Sequence, residues 1–440
     1  MSDNIPFEIQ AEIMKKLPAK LLVQFRTVSK AWKSLIDTSQ FIVEYSGRHT
    51  QEHLLVRYSH KFEQKYVSIV DDHTFPEQKV SPTIPPPVNM LNYASIIGIS
   101  HGLLCLYYNY QEGLGGPYSI TNMAFLWNLS IGKVVAVAVP NVGCGMYETV
   151  LGFGVCRETI EPKIVKVTHI KRFSDMESIS CIPWQVEIFT LNTGAWRTPY
   201  STNLPFNKSI EFNYFTVTVD GFIYWLVIER NTMDSVFSSC NLIISFDMTS
   251  EEFREVNLPD SIAHQFYINL SMSKRNESLV VLEFGGDPNQ LVYYVWMMED
   301  GVSNFFTKLF TIDFQTPDGF GCLVRGFRKT GEPIVESLQN QNDSNGQLAV
   351  YEPYSKSLNN LGINGMGCSC FVYPYMETLL LLDQPNFITF DKGKRYIQSE
   401  EVRHKAFEAY MQGTYIILFI LFKAGSIWTP SAPIFTLFVP

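Results

Sequence analysis

The chain has 440 residues, 46% of them hydrophobic, and a formal net charge of −9. That length and apolar content suffice for a large buried core, arranged as two or three domains or as one large β domain with a small module. The acidic balance and the lack of any Lys/Arg run exclude an electrostatic footprint for DNA or RNA, so no nucleic-acid partner is expected.

Residues 1 to 45 have a helical pattern. Pro6 suits the first turn of a helix, and Ile9, Ile13 and Leu17 follow at four-residue intervals on one face. Leu17-Pro18 interrupts this run. Residues 17 to 36, LPAKLLVQFRTVSKAWKSLI, then predict an amphipathic helix. Its stripe holds Leu21, Leu22, Phe25, Val28, Trp32, Leu35 and Ile36, with Lys20, Arg26, Lys30 and Lys33 largely off it. Residues 1 to 40 contain six basic and four acidic side chains, so this end is mildly basic within an acidic protein. A unit of that size cannot enclose Phe7, Ile9, Ile13, Leu22, Phe25, Trp32 and Ile36 on its own. Either it packs on the rest of the chain or it offers an apolar surface to another protein.

From about residue 53, short apolar or alternating runs are punctuated by Gly, Asn, Asp and Pro, which predicts β-strands. A loose repeat of strand, polar turn and returning strand recurs in LWNLSIGKVVAVAVP, VEIFTLNTGAWRTPY, IISFDMTSEEFREVNLP and LAVYEPYSKSLNNLG. Adjacent strands of a propeller blade have this look, and residues 50 to 395 have room for about six or seven blades of ~50 residues. A β-sandwich, or two separate sheets, is the alternative. The segment SPTIPPPVN, 81 to 89, reads as a rigid connector and QNQNDSNG, 339 to 346, as a polar loop. Residues 396 to 440 form an atypical hydrophobic tail, with eight apolar residues in a row at 415 to 422. A membrane span needs ~20 such residues, so a last strand or an aggregation-prone segment is expected rather than a poor span.

Eight cysteines are scattered at 105, 144, 156, 181, 240, 322, 368 and 370, with no C-x-x-C pair. In a long chain this predicts free thiols in a reducing compartment. The first residues, MSDNIPFEIQ, lack the basic and apolar regions of a secretory signal, so a cytoplasmic or nuclear location is expected.

Little of this sequence is patterned for chemistry. His49-Thr50-Gln51-Glu52-His53 matches H-x-x-E-H, but strand-like residues follow at once, whereas a zinc protease needs a helix there. Asp220-Gly221 and Asp247-Met248-Thr249-Ser250 read as turns. Gly152-Phe153-Gly154 lacks the third glycine of a dinucleotide fingerprint and predicts a tight turn or bulge. Trp127, Trp184, Trp196, Trp225 and Trp296 are expected mostly in the core. No metal or cofactor is expected.

The N-terminal segment resembles an F-box. Pro6, Ile9, Ile13, Leu17-Pro18, Leu22, Phe25, Arg26, Val28, Ser29, Lys30, Trp32 and Ile36 fall in that family's order. Downstream, GLLCL at 102 to 106, LWNLSIGK at 126 to 133, GFGV at 152 to 155, the run Val186 to Trp196 and DGFIYWL at 220 to 226 resemble the F-box-associated domain of plant F-box/kelch-repeat proteins. The resemblance covers about residues 1 to 395. It implies a small all-α F-box module at 1–45, followed at 50–395 by a large all-β domain of β-propeller, kelch-like type. The double glycine of kelch repeats does not recur: Gly115-Gly116 and Gly285-Gly286 occur singly.

The resemblance further implies a non-catalytic substrate receptor of an SCF-type cullin–RING ubiquitin ligase. The F-box would dock on a Skp-family adaptor, and the β domain would hold a target protein whose identity one sequence does not carry. Transferred by position, the docking face comprises Pro6, Ile9, Leu17, Pro18, Leu22, Val28 and Trp32. Phe25, Leu35 and Ile36 would hold the module together. The alternatives are a β-propeller enzyme whose helices cap the ring, or an interaction scaffold that recruits no cullin.

Overall fold

The computed structural model describes residues 5–384 apart from 49–51, 92–93, 112–119, 141, 143–146, 171–183, 201–209, 234–235, 266–268, 286–290, 300–304, 315–321, 341–342 and 383. Four helices come first: α1 (Phe7–Met14), α2 (Ala19–Phe25), α3 (Lys30–Ile36) and α4 (Ser39–Arg48). Pro6 and Pro18 stand at the N-caps of α1 and α2, where a missing N–H costs nothing. The stripe from 17 to 36 is two helices, not the single one expected. The chain turns after Arg26, and Ser29 restarts it by accepting the Trp32 N–H at 3.5 Å. Serine competes with the backbone for hydrogen bonds, so it favours an N-cap over a helix interior.

Six four-stranded antiparallel sheets follow among the described residues. The strands, in chain order, are β1 (Glu52–His60), β2 (Glu63–Val70) and β3 (Lys79–Val80), then β4 (Ser95–Ser100), β5 (Leu103–Gln111), β6 (Ile120–Asn128) and β7 (Lys133–Ala138). The third sheet has β8 (Tyr147–Val155), β9 (Pro162–Ile170), β10 (Gln185–Thr190) and β11 (Ala195–Arg197). The fourth has β12 (Ile210–Val219), β13 (Phe222–Met233), β14 (Val236–Asp247) and β15 (Phe253–Asn257). The fifth has β16 (Leu270–Arg275), β17 (Ser278–Gly285), β18 (Leu291–Met298) and β19 (Phe306–Phe314). The sixth has β20 (Cys322–Phe327), β21 (Pro333–Asn340), β22 (Asp343–Glu352) and β23 (Ser357–Met366). A last strand, β24 (Phe371–Met376), pairs antiparallel with β1, from Arg57 opposite Phe371 to Glu52 opposite Met376.

The first sheet is thus made from both ends of the chain, and this pairing closes a six-bladed propeller with no free edge at the seam. Strands β24, β4, β8, β12, β16 and β20 adjoin one another around the centre. The ring of inner strands is pinched on one side: β4 also meets β12, where the Thr216 hydroxyl donates to the Ile97 carbonyl at 2.7 Å.

The core is divided among the gaps between blades. One apolar cluster joins sheets three and four around Trp225, Phe246 and Val165, another joins one and two around Trp127 and Leu55. Further clusters fill the remaining gaps, and that between sheets two and three extends to the helices. Each strand pair therefore buries one face against its own neighbour and the other against the next blade.

Three local expectations are corrected. Gly152-Phe153-Gly154 is neither turn nor bulge but the interior of β8, in unbroken register with β9. The segment 81 to 89 contains a short helix, α5 (Pro86–Asn89), and Val88 is buried. Asn340 and Asp343 pair with one another, so much of the expected polar loop at 339 to 346 is strand. The tail at 396 to 440, with its apolar run, lies outside the described residues.

Candidate docking face

The four N-terminal helices have two distinct sides. Met14, Ala19, Leu22, Ile36, Phe41, Ile42 and Tyr45 are buried in the cluster shared with the second and third sheets. Pro6, Ile9, Pro18 and Val28 point to solvent, Ile9 at 51% and Val28 at 67% exposure. Ile5, Phe7, Ile13 and Leu21 are exposed beside them in sequence and were not among the expected docking residues. Their signal was present: Ile9 and Ile13 are one turn apart on α1.

Two expected members are placed at the boundary. Leu17 is half-buried against the core, and its carbonyl accepts the Tyr45 hydroxyl at 3.0 Å. Trp32 is half-buried too; its ring lies 5.3 Å from Phe25, and its indole N–H donates to Gln10 Oε1 at 2.9 Å. Gln10 in turn donates to the Ile5 carbonyl at 2.8 Å, which holds the chain entering α1. Leu22 is a correction. It is 0% exposed and contributes no surface, because its position on α2 turns it toward Ile36 and the propeller. Of the three residues expected to hold the module together, Ile36 is fully buried, while Phe25 and Leu35 pack partly against the same cluster.

Charge is arranged to stiffen this unit. Lys15 lies between Glu12 and Glu44, and the hydrogen bonds it donates to both carboxylates push its ammonium above the usual lysine range. Arg26 pairs with Asp37 at 2.6 Å, joining the end of α2 to the end of α3. Lys16, Lys20, Lys30 and Lys33 are exposed.

The helices rest on the segment that leaves β24. Glu377 Oε2 accepts the Ala19 backbone N–H at 2.9 Å, 358 residues away in sequence, and lies 3.4 Å from the Tyr45 hydroxyl. Burial and the Glu377 charge both push the Tyr45 phenol far above its ordinary value. Ser46 and Thr378 hydroxyls meet at 3.1 Å. On the other side, Asn128 donates to the Thr378 and Leu380 carbonyls at 3.0 and 2.7 Å, and Lys133 donates to the Leu382 carbonyl at 3.0 Å.

The other singled-out residues take structural places. Glu52 and His53 open β1, with His53 Nδ1 3.2 Å from Ser68 Oγ, while His49 lies outside the described residues. Asp220 and Gly221 form the positive-φ turn between β12 and β13. Trp127, Trp184 and Trp225 are buried; Trp196 and Trp296 are half-buried.

These features agree with the known proteins that the chain resembles. The F-box domain family matches residues 2–44, and the F-box associated beta propeller domain family matches residues 100–331. F-box protein CPR1 of Arabidopsis thaliana is 24% identical over 398 residues, covering 86% of this chain and 89% of that protein. The putative F-box/kelch-repeat protein At1g12870 of Arabidopsis thaliana is 22% identical over 358 residues, covering 76% of this chain and 79% of that protein. Among solved structures, the beta-propeller domain of the Trilobed protease from Pyrococcus furiosus is 11% identical with a TM-score of 0.33, covering 61% of this chain and 70% of that one. With its helices anchored on a six-bladed ring and most of that ring matched by the propeller family, the chain belongs to the F-box proteins that carry an F-box-associated β-propeller domain.

Proposed function

We propose that this chain is the substrate-recognition subunit of an SCF-type cullin–RING ubiquitin ligase. Its F-box module, residues 1–45, docks on a Skp-family adaptor, and its propeller, residues 50–395, holds the target protein. One observation carries the reading. The helices have already used an inner apolar face to anchor on the propeller, yet they keep a second one, with Ile9 and Val28 more than half exposed. Helices of seven to ten residues gain little from leaving such side chains in water. An apolar surface on paired short helices fits burial against a partner. The exposed lysines of this segment favour encounter with an acidic adaptor.

In this role the receptor forms and breaks no bonds. It raises the local concentration of target near the ubiquitin-carrying enzyme. The target is recognised by propeller loops, since loops on a rigid scaffold carry recognition. No helix among the described residues is long and apolar enough to cross a membrane, and the proposed setting is the cytoplasm or nucleus.

The test is co-purification of the full chain with a Skp-family adaptor and a cullin. Both are expected with the wild type, and the adaptor is expected to be lost in the Leu17→Ala, Pro18→Ala double variant. Unchanged adaptor binding in that variant sinks the docking assignment, and an adaptor complex without cullin points to a scaffold instead.

A further inference from the structure

We infer that Glu377 is a positioning residue for the docking face, so that the propeller's closing strand completes the F-box in cis. The inference rests on the adaptor-docking reading above. α2 has seven residues, fewer than the ~12–15 an isolated helix needs, and its N-cap is Pro18, which offers no side-chain cap. The first N–H groups of a helix need acceptors from elsewhere. Here the acceptor is the Glu377 carboxylate on the Ala19 N–H at 2.9 Å, delivered from the far end of the chain. A carboxylate at this end also complements the helix dipole.

The delivery depends on ring closure. Glu377 directly follows Met376, the last residue of β24, and Met376 pairs with Glu52 at the start of β1. The same pairing therefore sets both the segment that reaches α2 and the strand that α4 leads into. Three hydrogen bonds, Tyr45 to Leu17, Tyr45 to Glu377 and Ser46 to Thr378, hold the arrangement, and Leu379, Leu380, Leu381 and Leu382 share the apolar cluster with Ala19 and Leu22. Beneath, Asn128 and Ser130 of the second sheet's last turn hold Thr378 by its carbonyl and N–H. Gly102, at φ +76, leaves room for Thr378, whose Cγ2 would stand 2.7 Å from a Cβ at that position. Pro18 is the N-cap of α2, Leu21 lies on it, and Val28 follows in the turn between α2 and α3. Their orientation thus depends on a segment that only a closed ring places correctly.

The experiment uses the full chain and a purified Skp-family adaptor. Binding is measured by calorimetry for the wild type, Glu377→Ala and Glu377→Gln, and amide hydrogen exchange is followed on each free chain. Binding is expected to weaken about fivefold in Glu377→Ala, the effect of losing a helix cap, and less in Glu377→Gln, which keeps a neutral acceptor. Exchange is expected to quicken at residues 19–25 with the sheets protected as before. Wild-type affinity together with unchanged α2 protection in Glu377→Ala overturns the inference, as does faster exchange spread evenly over all sheets. If Glu377→Ala does not fold, Glu377→Gln carries both measurements. If the wild type itself does not bind the adaptor, the docking reading fails, and exchange at α2 alone decides whether Glu377 positions the helix.

Discussion

Gly152 lies against the indole of Trp225, so the backbone of the third blade touches the largest buried side chain of the fourth. A Cβ at Gly152 would stand 2.5 Å from Trp225 Cζ2 and 2.8 Å from Ile223 Cγ2. The indole N–H points back to the Leu151 carbonyl at 3.4 Å. Glycine inside a strand usually weakens it, but it also permits close approach of a neighbour. Gly152→Ala is expected to cost about 1–3 kcal/mol through overpacking, read as a lower denaturant midpoint. An unchanged midpoint would show that the two blades separate freely.

The same two blades are tied by Glu251, which is fully buried. It accepts Arg197 at 2.8 Å, Lys163 at 3.0 Å and the Tyr200 N–H at 3.1 Å. Burial alone pushes its carboxyl up, but the hydrogen bonds from Arg197 and Lys163 outweigh it and hold the group below 4.5. A depressed carboxylate contributes stability above its unfolded value, and that stability is lost as pH falls through the folded one. Glu251→Gln is expected to cost about 3–5 kcal/mol near neutral pH, because Lys163 stays buried without its counter-charge. Urea unfolding at neutral pH checks this, and a loss under about 1 kcal/mol would contradict the buried-pair argument.

Two histidines, His101 half-buried and His169 buried, act at a higher pH. Burial, above all, pushes both His101 and His169 below 6.5. A depressed imidazole favours the folded state above its unfolded value, and the advantage disappears as pH falls through the folded one. Stability is therefore expected to start declining below about pH 6.5, before the carboxylates respond. His169→Gln, which removes a ring 5.0 Å from Phe212, should flatten that decline. Thermal unfolding from pH 7.5 to 5 measures it; parallel curves for variant and wild type would refute it.

Leu22 and Val28 separate folding from docking. Leu22→Ala is expected to lower stability by about 2–5 kcal/mol, as for other large-to-small changes in a core. Val28→Asp should stay within about 0.5 kcal/mol of wild type and yet lose adaptor capture. Calorimetric unfolding and pull-down on the same samples decide between these outcomes. Full capture by Val28→Asp would remove Val28 from the face.

How far these properties were legible differs by element. The repeat seen in LWNLSIGKVVAVAVP, VEIFTLNTGAWRTPY, IISFDMTSEEFREVNLP and LAVYEPYSKSLNNLG is the third-to-fourth strand hairpin of sheets two, three, four and six. Such hairpins are local, so their turn residues and apolar runs stand side by side in the chain. The blade count was not legible, because the first sheet takes β24 from the other end. Gly152-Phe153-Gly154 was misread for a related reason: the atoms that require glycine there belong to Trp225 and Ile223 in another blade.

By itself the sequence determined a helical module with a surplus of apolar side chains, a long series of hairpins, and the order of residues that marks the family. Period and turn chemistry act within a few residues, so they are written locally. Which apolar residues of the module face inward was decided only by tertiary structure. Leu22 and Val28 lie on the same stripe, but one is sealed against the propeller and the other stands in water. That choice depends on Glu377 and Thr378, hundreds of residues away, whose place is set by the pairing of β24 with β1. No local pattern encodes such a contact, since its two partners share no period and no turn.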